Sequence, residues 1–133
     1  NKVAHEWLLK QNYDLVKSEY VYGDSRIDFY MEKDGEKYLM EIKGCTLEID
    51  GQGYFPDAPT ARGTKHLHEL TGALKDGYKA IIGFVIQMDG IDNVLPNIQT
   101  DPKFAKAYEE AVRAGVEVKM LRCHIREDGF EIV

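Results

Sequence analysis

RIDFYMEKDGEKYLMEIK, residues 26–43, contains two alternating runs, 26–32 and 37–43, on either side of Lys33-Asp34-Gly35-Glu36. Asp-Gly between alternating runs signals a two-residue hairpin, because a type I′ turn needs positive φ at both central positions. Lys33 then faces Glu36, Asp28 faces Glu41, and Arg26 faces Lys43. Period-two alternation predicts an apolar face of Ile27, Phe29, Met31, Tyr38, Met40 and Ile42. The opposite face carries Arg26, Asp28, Tyr30, Glu32, Lys37, Leu39, Glu41 and Lys43.

Opposed residues in such a ribbon have Cβ atoms about 5 Å apart, where like charges are destabilising. Asp28 against Glu41 therefore calls for a raised pKa or for a cation between them. Lys43, two residues beyond Glu41, points to the same side. Asp, Glu and Lys converging at a strand edge match the chemistry of a divalent-metal phosphodiesterase centre. There the carboxylates hold the ion, and the lysine orients the nucleophile or stabilises charge. The plain alternative is a solvated hairpin face with alternating charges.

The Asp28…Glu41-x-Lys43 spacing resembles the PD-(D/E)XK nuclease superfamily. Longer words are more specific: Tyr22-Gly23-Asp24-Ser25-Arg26-Ile27-Asp28-Phe29, Glu41-Ile42-Lys43-Gly44-Cys45-Thr46-Leu47, and Phe55-Pro56-Asp57-Ala58-Pro59-Thr60-Ala61-Arg62-Gly63. With His66-Leu67, Glu69-Leu70, Phe84-Val85-Ile86-Gln87 and Ala114-Gly115-Val116-Glu117-Val118, they resemble the sugar fermentation stimulation protein A family along nearly the whole chain.

That resemblance implies a nuclease-like domain acting on DNA or RNA with a divalent metal. Asp28 and Glu41 are its metal ligands and Lys43 its catalytic lysine. The same family is also described as DNA-binding regulators of sugar metabolism, so a non-catalytic regulator retaining the nuclease fold is the alternative. A third reading is a small protein-interaction domain with incidental surface charge. Family members carry a further OB-type β-barrel domain before this one. The chain begins at Asn1 and shows no such segment, so it is expected to be the C-terminal, single nuclease-like domain over 1–133.

Length suits one domain with a real core. Hydrophobic residues at 44% and charged residues at 30% are ordinary for a soluble globular chain. No apolar run is long enough to span a bilayer, and no secretory signal pattern appears, so no membrane is expected. Cys45 and Cys123 lack C-x-x-C spacing, and reduced thiols in the cytoplasm are the simpler reading. His66-x-His68 diverges on either a strand or a helix, which argues against zinc. A net charge of −6 opposes long-range attraction to nucleic acid. Site carboxylates count in that total until metal binds, so a nuclease is penalised less than a high-affinity binder.

The spacing predicts an opening helix over 2–11 with Val3, Trp7, Ala4 and Leu8 as its stripe, and a strand over 17–22. The hairpin follows, then a long loop over 44–59, rich in Gly, Asp and Pro. Thr60 caps a helix to Asp76, with Gly77 at C′ and Leu67, Leu70 and Leu74 as its buried stripe. Lys79 to Ile86 reads as a central strand covered on both faces. Asp101-Pro102 opens another helix that Gly115 closes, and strands over 116–125 and 129–133 end the chain. The first six elements follow the αβββαβ order of a PD-(D/E)XK restriction-endonuclease-like core, an α/β fold. Its mixed central sheet is flanked by helices, with an extra helix and C-terminal strands following.

The expected cofactor is Mg²⁺ or Mn²⁺, since oxygen ligands without thiolate suit hard cations. It would sit on Asp28, Glu41 and the Ile42 carbonyl. Candidate substrate contacts are Arg26, Thr46, Arg62, His66 and Gln87. Arg62 and His66 share a helix face near its N-terminus, where phosphate is favoured; Arg62 could instead pair with Glu69. Gln87 ends the central strand and Thr46 follows Lys43. Asp57 reads as a turn residue and Glu6 as part of a solvated helix face. The expected partner is DNA or RNA, and a homodimer is left open.

Overall fold

The computed structural model describes all 133 residues. In chain order the elements are α1 (Lys2–Leu8), β1 (Leu15–Tyr22), β2 (Ser25–Lys33), β3 (Glu36–Cys45), β4 (Leu47–Ile49) and β5 (Gln52–Phe55). They continue with α2 (Ala61–Lys75), β6 (Lys79–Ile86), β7 (Val94–Pro96), α3 (Pro102–Ala114), β8 (Glu117–Arg126) and β9 (Gly129–Ile132). No helix is long and apolar enough to cross a membrane.

The expected turn forms, with φ of 53° at Asp34 and 77° at Gly35. Cα pairing runs antiparallel from Lys33↔Glu36 to Phe29↔Met40. β3 then pairs in parallel with β6, which pairs in parallel with β8, giving a mixed six-stranded sheet in the order β1-β2-β3-β6-β8-β9. A buried parallel strand reads as a continuous apolar run because both faces are covered. β6 fits: Ile82, Phe84 and Ile86 enter one core cluster with residues of α2 and α3, while Ile81 and Val85 enter another with Ala4 and Leu8 of α1.

The expected two-faced hairpin requires correction. Ile27 packs with Tyr30 and Leu39, not with Phe29, Met31 and Met40. Between Ser18↔Phe29 and Tyr20↔Ile27 the β1–β2 ladder has a gap at Glu19 and Asp28. Glu19 has a φ of 54° there, a left-handed conformation uncommon outside Gly. That break puts Ile27 out of step with the alternation. The face read as polar is largely covered as well: Tyr30, Leu39 and Glu41 are buried, in the cluster to which α2 contributes Leu67 and Leu70 for the first two.

Arg26 does not pair with Lys43. It pairs with Val21 on β1, because the β2–β3 ladder ends at Phe29↔Met40, while the β3–β6 ladder, begun at Tyr38, runs on through Lys43↔Phe84 to Cys45. The span 44–59 is not a long loop either. β4 and β5 form a second hairpin around Asp50-Gly51, with φ of 51° and 84°, and β7 completes a three-stranded sheet. The second Asp-Gly uses the same turn chemistry as the first. α1 is shorter than expected, and Asn12 at φ 63° turns the chain away before residue 13. Its buried residues are Ala4 and Leu8, with Val3 and Trp7 half-buried.

α2 matches its expected span. Thr60 Oγ1 accepts from the Gly63 N–H at 3.0 Å, and Gly77 follows the C-cap at φ 86°. The start of α2 is tied to α3 through Asp101. Its Oδ1 accepts from Phe104 N–H at 3.0 Å, capping α3, and its Oδ2 accepts from Thr60 N–H at 2.8 Å. Asp101→Ala removes a cap, about 1 kcal/mol, and leaves a second inward donor unpaired, about 1–3 kcal/mol. Urea unfolding is expected to show a loss of about 2–4 kcal/mol, and a loss below about 0.5 kcal/mol would remove Asp101 from this role.

Candidate functional site

Where β2 leaves β3, two backbone donors lose their regular ladder partners. The carboxylates take them: Asp28 N–H donates to Glu41 Oε1 at 3.2 Å, and Ile42 N–H donates to Asp28 Oδ2 at 2.8 Å. Each acid thus pins the other's strand. Asp28 Oδ1 also accepts from Asn1 Nδ2 at 2.8 Å, closing the pair from the α1 side.

Beyond the parting, alternation along β3 sends Glu41 and Lys43 toward α2, which supplies His66. His66 Nδ1 lies 2.8 Å from Lys43 Nζ and 3.3 Å from Glu41 Oε2. Glu41 is 1% exposed and His66 7%. Burial and the adjacent Asp28 charge push the Glu41 carboxyl up to about 8. Burial lowers the Lys43 pKa, as does the Arg62 charge, while Glu41 and Asp28 oppose the shift. Burial also lowers His66, assisted by Lys43 and Arg62.

At neutral pH these directions make His66–Glu41 a contact between neutral groups, not an ion pair. The Lys43 ammonium donates to Nδ1, which places the ring proton on Nε2. A protonated Glu41 carboxyl tolerates that lone pair nearby. With its proton kept, Glu41 spares the pair of acids a second negative charge. Dry carboxylate pairs favour this arrangement, because two charges without a cation are costly.

The structure therefore unites Asp28, Glu41, Ile42, Lys43 and His66. Arg62 is exposed on α2 but within electrostatic reach of Lys43 and His66. Gln87 lies just past β6, and a Cβ at Gly44 would stand 3.1 Å from its Nε2, so Gly44 permits this approach. Ile42, Gly44 and Gln87 line a cavity of about 280 Å³ with Asn1. Asn1, Ser18, Glu19 and Asp28 line another of about 300 Å³. Arg26 and Thr46 are exposed and make no hydrogen bond or ion pair with the cluster. Glu6 and Asp57 are exposed too.

Two residues escaped the sequence reading, and a third, Glu69, entered it only as an alternative partner for Arg62. Asn1 reaches Asp28 only through the docking of α1. Glu19 stands opposite Asp28 with positive φ, which a strand pattern does not announce. Glu69, one turn beyond His66, has a buried Oε1 with no hydrogen-bond partner. No three His, Cys, Asp or Glu side chains form a group able to hold a metal; the acids here are a pair.

A carboxyl whose folded pKa is raised stabilises the fold most below its unfolded value, and that contribution is lost as pH rises through the folded value. Metal-free protein should thus lose stability through Glu41 between roughly pH 4.5, its unfolded value, and about 8. Glu41→Gln should flatten that part of the profile in urea titrations at stepped pH. Parallel profiles for the two proteins would mean that Glu41 titrates normally.

The family profile described as the sugar fermentation stimulation protein RE domain matches residues 1–129. A sugar fermentation stimulation protein homolog of Ruminiclostridium cellulolyticum is 46% identical over 136 residues, covering 99% of this chain and 60% of that protein. One from Clostridium beijerinckii is 44% identical with the same coverage. The structure of Pyrococcus furiosus SfsA in complex with Ca²⁺ superposes with a TM-score of 0.83 at 30% identity, covering 97% of this chain and 57% of that one. The chain thus spans about 60% of the length of these curated relatives. It belongs to the sugar fermentation stimulation protein family and corresponds to its RE domain.

Proposed function

We infer that this domain is a divalent-metal-dependent nuclease with a PD-(D/E)XK restriction-endonuclease-like core, hydrolysing phosphodiester bonds of DNA or RNA through Asp28, Glu41 and Lys43. The observation that carries this reading is the Asp28–Glu41 pair, locked to opposite strands with Lys43 alongside. A pure binder has no need of opposed acids at this cost, which counts against a non-catalytic regulator. Two buried thiols, both free, support a cytoplasmic setting.

The donor set fits a hard cation. Two carboxylates and the Ile42 carbonyl offer oxygen only, and Mg²⁺ or Mn²⁺ commonly keeps waters or substrate oxygens as its remaining ligands. The Glu41 carboxyl, pushed up to about 8 by burial and by Asp28, supports this reading, because such shifts gather at functional sites. Ca²⁺ in the Pyrococcus furiosus relative supports the same class of ion. When bound, such an ion supplies Lewis-acid polarisation of phosphate and water.

The chain's own groups divide the remaining work. Asp28 and Glu41 hold the ion, and their bonds to Ile42 N–H and Asp28 N–H fix their direction beforehand. Lys43, held at 2.8 Å by His66, presents its ammonium to the nucleophile or to charge developing on phosphate. Arg62 adds positive charge on the α2 side, suited to a phosphate oxygen. Gln87 is placed to orient substrate beyond Gly44. Arg26 and Thr46 retain a substrate role only if nucleic acid extends past the cluster.

Lys43→Ala is expected to lower cleavage by about 100-fold or more, as removal of a charge-stabilising donor does, while leaving Mn²⁺ affinity within a few-fold. The assay uses single- and double-stranded DNA and RNA with Mg²⁺, Mn²⁺ or EDTA; wild-type rates in the variant would take Lys43 out of the mechanism. No cleavage by the wild type under any condition would favour the regulator. Glu41 would have to give up its proton to ligate an ion. Mn²⁺ titration at pH 7 in buffers of different ionisation enthalpy should report release of close to one proton. Asp28→Asn should abolish the binding heat.

A further inference from the structure

Two helix starts in this acidic chain gather cations that no carboxylate pairs. Of 23 Asp and Glu residues, none lies within 61–68 or 102–108, the opening turns of α2 and α3. Those turns carry Arg62, Lys65, His66, His68, Lys103 and Lys106. Of the acids that border these turns, Asp101 is buried and spent on two backbone donors, while Glu69 follows His68 and Glu109 follows Tyr108. Arg62, Lys65, Lys103 and Lys106 are exposed, and none enters an ion pair, although acids outnumber cations in the chain.

Helical geometry orders these residues. At about 100° per residue, Arg62, Lys65 and His68 step around the exposed side of α2, each three positions after the last. Arg62 starts the path beside the cluster, within electrostatic reach of Lys43 and His66. His68 ends it at a groove of about 340 Å³ between the two helices, lined by Thr64, His68, Lys103, Lys106, Ala107 and Glu110. Glu110 is the one acid in that lining.

We propose that this tract, from Arg62 over Lys65 to the groove of His68, Lys103 and Lys106, binds the phosphodiester backbone of a nucleic-acid strand and leads it to the Asp28–Glu41–Lys43 centre. It rests on the nuclease reading for its destination, but not for its chemistry. Unpaired cations on a chain of net charge −6 leave a local positive field that a polyanion can neutralise with release of counterions. Backbone contacts of this kind position a strand without reading its sequence. Arg62 joins tract and centre because a guanidinium fork matches phosphate oxygens in two directions.

The test measures binding of fluorescein-labelled 20-mers of single-stranded DNA, single-stranded RNA and duplex DNA by anisotropy in EDTA over a salt series. Wild type is compared with Lys65→Gln/Lys103→Gln/Lys106→Gln and with the corresponding glutamate variant. Thermal melting confirms folding of both. For single strands, three lost phosphate contacts should make the slope of log K against log salt shallower by about 2. Affinity should fall about tenfold or more at low salt, and further in the glutamate variant. Hydrolysis of bis(p-nitrophenyl) phosphate, too small to reach the tract, should be unchanged. Unchanged slope and affinity would overturn the proposal even if cleavage persists, as would failure of wild type to bind any oligonucleotide. Equal preference for inorganic polyphosphate of matched charge would overturn the assignment to nucleic acid. Loss of slope in a protein that cleaves nothing would uphold the tract while the nuclease reading fell.

Discussion

Asp28 and Glu41 each accept a backbone N–H from the other's strand at the point where β2 and β3 separate. Two inward donors need partners there, and an unpaired buried donor costs about 1–3 kcal/mol. Carboxylates satisfy them but carry charge into a dry place. Glu41 responds by holding its proton at neutral pH, and Lys43 and His66 complete the balance. The acids thus serve the fold on their own account. Two of their oxygens, Glu41 Oε1 and Asp28 Oδ2, meet this structural need, and the proposed chemistry uses the same two side chains.

The position of α2 follows from that constraint. Its buried face must bring Leu67 and Leu70 onto the core and His66 onto the site together. The spacing of one residue between His66 and Leu67 puts both on the inward side of the helix, while Arg62 and Lys65 remain outside. Its start is held by Asp101 from the head of α3. The small sheet supplies the path between them: Asn97 N–H donates to the Phe55 carbonyl at 2.8 Å, and Asn97 Nδ2 to the Pro56 carbonyl at 3.0 Å. What reads as a long loop after Lys43 is therefore a brace. It carries the chain from the end of β3 to the first turn of α2.

Local signals were legible wherever a residue's own backbone preference settled the matter. Asp34-Gly35 set the register, and with it the encounter of Asp28 and Glu41. Thr60, Gly77, Asp101, Pro102 and Gly115 marked the ends of α2 and α3, and the apolar run of β6 announced burial on both sides. The same turn signal at Asp50-Gly51 stands without a visible pattern around it, because its flanking strands are only three and four residues long. Such runs are too short to display alternation.

The sequence by itself determined the hairpin, its register and the three chemical groups at its end, because turn geometry and period two act between neighbours. Only the tertiary structure decided that Ile27 leaves its expected companions, that Arg26 loses Lys43, and that a histidine from α2 bridges the lysine and the glutamate. Each of these depends on a neighbour set at longer range: β1 with its break at Glu19, β2 parting from β3 after Met40, and a helix laid across the sheet. Partners chosen at long range leave no periodic trace in the strand that receives them. Burial then does the rest, converting Glu41 from an ordinary surface acid into one that keeps its proton near neutrality.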